Sequence, residues 1–142
     1  MPWLLLALLT ALCLTGYNFF IKLAADHISA AAGAVILQLV AAALGSIWLL
    51  VRHLQGYPLD ISRKGAGLAL LAGLGVGLAE ILTFVVFSRG LPSSVGTPVI
   101  VGGSVLITAL LGVVVLRETL SWSQALGLVS IVGGIALLAR GH

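Results

Sequence analysis

Five long apolar runs, broken by short polar links, set the pattern of this chain. A helix needs about 20 apolar residues to span a bilayer. By that rule the sequence predicts five helices, about 3–25, 30–51, 66–88, 95–116 and 122–140. The links between them, Asp26–Ser29, Arg52–Gly65, Arg89–Ser94 and Arg117–Ser121, are short. Links of that length make successive helices antiparallel neighbours. The expected fold class is an all-α membrane protein. The expected organisation is a single five-helix domain over residues 1–142, without a soluble domain. Unbroken runs, rather than strict alternation, argue against a β-barrel. Ser29, Ser62 and Ser121 precede the second, third and fifth runs, where each can cap orphan amides. Gly56 and Pro58 mark a turn in the second link.

The first run resembles a signal peptide only superficially. It lacks a charged start, and about 19 apolar residues are too many for a signal h-region. The expectation is a retained span.

Composition sharpens this picture. The chain is 61% hydrophobic and only 8% charged, more apolar surface than a soluble domain of 142 residues can hide. A net charge of +3 is too small and scattered to suggest nucleic acid. Cys13 stands alone, which excludes a disulfide framework and a multi-cysteine metal site. His27, His53 and His142 lie at segment ends, away from metal-ligand spacing, and fit interfacial positions. No metal and no cofactor are expected. No nucleophile–base set is visible, so the chain is not expected to be an enzyme.

Charge bears mainly on topology. Arg52, Arg63, Lys64 and Arg117 fall on the N-terminal side of the bilayer, and Lys22, Arg89 and Arg140 on the other. Positive-inside bias then places the N-terminus in the cytoplasm, with Trp3, Trp48 and Trp122 at that interface. The bias is weak and also permits insertion both ways round. Arg63 and Lys64 also suit anionic headgroups.

One acid breaks the apolar pattern. Glu80 lies deep inside LALLAGLGVGLAEILTFVVF, Leu68 to Phe87. A charged side chain at the bilayer centre costs roughly 3 kcal/mol on insertion scales, so it turns inward to a partner or a wet cavity. Gly73, Gly77, Phe84 and Phe87 share its helix face. Two readings follow: a cavity-lining group of a transporter, or a hydrogen-bonded packing residue.

At 1.5 Å per residue, Glu80 and Gln38 sit roughly 12 Å deep and Asn18 roughly 10 Å. Gly102, Gly103 and Ser104 reach a similar level. Such a layer suits a midplane substrate site. Tyr17, beside Asn18, belongs with these cavity candidates. Thr15, Asn18 and Lys22 form one stripe on the first helix. Lys22 either leans inward to pair with Glu80 or snorkels to the headgroups near Asp26. Pro98, close to Gly102 and Gly103, is either a gating hinge or a proline tolerated near a helix start. Small residues at Gly127, Ser130, Gly133 and Gly134 suit close packing, including a subunit interface.

The stretch PVIVGGSVLITALLGVVVLRETLSWSQALGLVSIVGGIALL, Pro98 to Leu138, resembles the EamA domain of the drug/metabolite transporter superfamily. The matching features are Pro98, Arg117-Glu118, Gly127 and Gly133-Gly134, together with TGYNFFIKLA from Thr15 to Ala24. The resemblance implies a bacterial inner-membrane, multi-pass transporter. It implies a structural role for Glu118, capping the fifth helix or pairing with Arg117. Family members commonly carry two such units in ten helices, and an odd-numbered unit inverts on tandem fusion. It therefore also implies a dimer, antiparallel or parallel, or a heterodimer with another half-size chain.

The leading expectation is secondary transport or export of a small metabolite or organic cation, proton-coupled through Glu80. A lipid-carrier flippase using Arg63, Lys64 and Arg89 is the alternative. A non-transporting membrane subunit is the third.

Overall fold

The computed structural model describes residues 2–140, so His142 lies outside the described residues. Five helices make up almost all of it: α1 (Pro2–Ala25), α2 (Ala30–Leu54), α3 (Arg63–Ser88), α4 (Ser93–Val115) and α5 (Trp122–Arg140). Each is long and apolar enough to cross a membrane, and no strand occurs among the described residues.

Local signals decide where the helices start. Ser62 Oγ accepts the Gly65 N–H at 3.0 Å, so α3 begins at Arg63, ahead of the apolar run at 66. Ser29 accepts the Ala32 N–H at 3.4 Å to start α2. At α5, Ser121 and Gln124 form a capping box. The Ser121 N–H donates to Gln124 Oε1 at 2.7 Å, and the Gln124 N–H donates to Ser121 Oγ at 3.4 Å. Ser121 is thus the cap that the sequence expects, and the capping role that the family resemblance implied for Glu118 is corrected, because Glu118 takes no part in it. Among the described residues Glu118 also forms no ion pair with Arg117.

Helix ends are set by residues in the left-handed region. Gly56 (φ 82°) follows α2, and Gly90 (φ 88°) follows α3. After α2 the Gly56 N–H donates to the His53 carbonyl at 3.0 Å and the Tyr57 N–H to the Arg52 carbonyl at 3.2 Å. That is a Schellman motif. It extends α2 to Leu54, beyond the apolar run. The Arg52 guanidinium stacks 3.4 Å from the centre of the Tyr57 ring and closes the motif. After α4 the residue in this conformation is Arg117 (φ 57°).

The chain divides at Arg89–Gly90 into two compact units. In the first, α3 packs on both α1 and α2. Its core is small: Ile21, Ala25, Ala34, Phe84 and Phe87, with Asn18, Glu80 and Thr83 buried beside them. In the second, α4 packs on α5. Gly102 faces α5 there: a Cβ on it would stand 2.9 Å from Ile135 Cδ1, the end of a flexible side chain. Elsewhere the large apolar side chains point outward: Leu5, Leu12, Trp48, Leu70 and Leu126 are all well exposed. Such a surface is unsuited to water and suited to lipid.

Candidate functional site

The site lies within the first unit, where α1 crosses α3. The buried face of α1 runs through Asn18, Ile21 and Ala25, at helical spacings of three and four. Tyr17 flanks that face, half-buried. The buried face of α3 runs through Glu80, Thr83, Phe84 and Phe87. The two faces bring Tyr17 against Glu80. The phenol O–H donates to Glu80 Oε1 at 2.5 Å.

Glu80 is only 6% exposed. Its second oxygen, Oε2, is buried with no hydrogen-bond partner. Buried polar atoms are almost always paired, and an orphaned carboxyl oxygen is expensive. The carboxyl is therefore half satisfied, and it lies about eight residues, roughly 12 Å, from the end of α3.

Lys22 does not reach it. Its Nζ donates to the Phe87 carbonyl at 3.2 Å and stands 3.7 Å from Asp26. The ammonium thus caps the C-terminal end of α3, where carbonyl dipoles favour a cation. Of the two expectations, pairing with Glu80 is not met; Lys22 lies beside Asp26, as the snorkelling alternative has it, and the bond to Phe87 belongs to neither.

The other candidates in this unit are distributed around the pair. Asn18 is buried, and its Nδ2 donates back to the Leu14 carbonyl at 2.8 Å. Gln38 is exposed and faces Gly77, whose ideal Cβ would stand 3.4 Å from Gln38 Nε2. An open groove of about 1030 Å³ runs there, lined by Gln38, Ala66, Gly73, Leu74 and Gly77. A second groove, about 320 Å³, is lined by Tyr17, Phe20, Gly33, Ile36, Leu37 and Phe84 among others. Tyr17 is common to this groove and to the Glu80 hydrogen bond.

The remaining candidates lie in the second unit. Pro98 sits inside α4, which runs unbroken from Ser93 to Val115. Gly102 meets α5, whereas nothing lies within 4 Å of a Cβ at Gly103. Ser104 Oγ donates to its own helix at Val101. A groove of about 370 Å³ passes Pro98, Gly102, Ile131 and Gly134.

Two contacts escaped the sequence reading: the Tyr17–Glu80 bond, and the seat of Phe84 on Gly33. The buried stripe through Ile21 and Ala25 signals the first, since extending it by one turn reaches Tyr17.

Compared with models of known families, residues 1–140 match the EamA-like transporter family. No curated protein and no solved structure matches the chain.

Proposed function

The chain belongs to the EamA-like transporter family, and from that premise we propose that it moves a small metabolite or organic cation by secondary transport, coupled to protons at Glu80. The observation that carries this reading is the half-satisfied carboxyl of Glu80, buried within a helix able to cross the membrane. A group that binds nothing is costly to keep there. One that alternately holds a proton and a cargo is used in both states.

In this reading Tyr17 orients the carboxyl through Oε1. Asn18 and Gln38 add polarity to the approach, and Lys22 serves α3 rather than cargo. Pro98, Gly102 and Gly103 supply the place where α4 yields during alternation. A five-helix unit pairs with a second such unit, from another copy or a sister chain, to form the inverted arrangement common among transporters. The reading places the chain in a bacterial inner membrane, where a proton gradient can drive such transport.

The sealing of Glu80 also supports a second reading, a non-transporting membrane subunit with an idle acid. Proteoliposomes with a pH gradient separate the two. The wild-type protein should drive proton-coupled uptake from a panel of cationic and neutral metabolites. Glu80→Gln should abolish it while leaving expression and elution profile intact. Undiminished uptake by Glu80→Gln would refute proton coupling at this residue.

A further inference from the structure

The charge arithmetic around Glu80 narrows the cargo. Of the seven Lys and Arg residues in the sequence, the five in the first unit form no ion pair with this acid. Lys22 is engaged by Asp26 and the Phe87 carbonyl. Arg52 and Arg140 lie in the last turns of α2 and α5. Arg63 and Lys64 open α3, Arg89 closes it, and Arg117 follows α4. On the helices packed against α3, α1 presents Cys13, Tyr17 and Lys22, and α2 has no titratable group before Arg52. A second copy would bring the same helix-end distribution. The positive charge that Glu80 lacks must therefore arrive as a proton or on a ligand.

The hydrogen bonds narrow it further. Oε1 already receives the Tyr17 hydroxyl, while Oε2 receives nothing. The vacant position accepts a donor. A site whose buried acceptor is left unpaired discriminates strongly against an analogue lacking that donor. The neighbouring groove, which shares Tyr17, is walled by Phe20, Ile28, Ile36, Leu37 and Phe84. It offers rings and aliphatic carbon, and no charge to match a second ionic group. Its volume of about 320 Å³ lies at the small end of ligand pockets.

Resting on the transport reading above, we infer that the cargo is a singly charged amine bearing at least one N–H and a small apolar body. The ammonium N–H donates to Glu80 Oε2, and the body lies in the groove lined by Tyr17, Phe20 and Phe84. Amine and proton compete for the same carboxylate, so an amine that displaces the proton does so in balance: carboxylic acid plus ammonium gives a carboxylate–ammonium pair and one proton. Tyr17 lines the groove and bonds Glu80, which does not itself line it, so the Tyr17 side chain turns aside as the amine enters.

Three probes with one phenyl body test this: phenethylammonium, N,N,N-trimethylphenethylammonium and phenylalanine. Binding to the purified full chain in detergent is followed by calorimetry in two buffers of different ionisation heat, which counts protons released. Phenethylammonium should bind with proton release. The quaternary analogue, lacking N–H, and phenylalanine, carrying a carboxylate, should each bind at least ten-fold more weakly. Glu80→Gln should lose the proton release. Quaternary binding as tight as the primary amine, tighter phenylalanine binding, or no binding by any probe would overturn the inference. The wild-type ranking stands even if Glu80→Gln fails to fold. Amine binding without uptake in proteoliposomes would sink transport and leave this inference standing. Proton-coupled uptake that prefers the other probes would do the reverse.

Discussion

The ring of Phe84 rests on the backbone of Gly33: a Cβ built at Gly33 would stand 2.5 Å from two ring carbons. Phe84 is 3% exposed, so its ring has little room to retreat. Gly33→Ala should therefore force α2 away from α3. Overpacking of this kind costs about 1–3 kcal/mol. The gain in helix propensity from Gly to Ala offsets about 1 kcal/mol of that. Gly73→Ala is the control, since nothing lies within 4 Å of a Cβ there. Thermal unfolding in detergent should show a lowered midpoint for Gly33→Ala and an equal or raised one for Gly73→Ala. Gly33→Ala combined with Phe84→Leu should recover part of the loss.

The contrast between these two glycines shows what the sequence can and cannot disclose. Gly73 and Gly77 look like a packing surface because they share the face of Glu80. Yet Gly73 lines an open groove, while Gly33, isolated in the alanine-rich start of α2, carries the tight contact. Spacing places residues on a face but does not say which neighbour meets that face. Helix number and caps were legible, because apolar length and Ser29, Ser62 and Ser121 act locally. The end of α2 at Leu54 was less so, because the left-handed Gly56 just beyond it, not hydropathy, ends the hydrogen-bond ladder. The burial of Glu80 was legible from the cost of charge in lipid. Its partner was not, because Tyr17 and Lys22 lie on adjacent flanks of α1 and only packing chooses between them.

Gly102 and Gly103 are adjacent in sequence and should behave differently. A Cβ at Gly102 meets Ile135 Cδ1 at 2.9 Å and Ile131 Cγ2 at 3.2 Å, both ends of flexible side chains. Alanine at 102 should be accommodated by rotation of Ile135, with little change in stability. Leucine at 102 should separate α4 from α5, since without small residues the backbones cannot approach. Gly103→Leu should be tolerated. Crosslinking between cysteines placed on α4 and α5 should fall sharply in Gly102→Leu alone.

Lys22 should matter more than its ion pair suggests. Asp26 is well exposed, and such a pair is worth about 0–1 kcal/mol. The bond to the Phe87 carbonyl is a part-buried charged donor at the end of a helix, of the kind worth about 1.5–3 kcal/mol. Asp26→Asn should thus leave the unfolding midpoint nearly unchanged, whereas Lys22→Met should lower it clearly. Equal effects would mean that the ion pair, not the carbonyl bond, holds Lys22.

Arg117 ends α4 at φ 57°, a conformation that disfavours side chains. The left-handed region costs a non-glycine residue about 1–2 kcal/mol. The conformation is retained because the turn feeds the next bond: the Gly112 carbonyl accepts both the Leu116 and the Glu118 N–H, each at 3.1 Å. Glycine at 117 removes the steric cost but loosens the unfolded chain by about 0.4–1 kcal/mol. Arg117→Gly should therefore stabilise the protein by about 0.5–1 kcal/mol. Arg117→Val should destabilise it, because a β-branched side chain fits this region worst. Arg117→Lys is the charge-preserving control and should be neutral. If Arg117→Lys falls as far as Arg117→Val in detergent unfolding, the guanidinium itself, rather than the backbone angle, governs this turn.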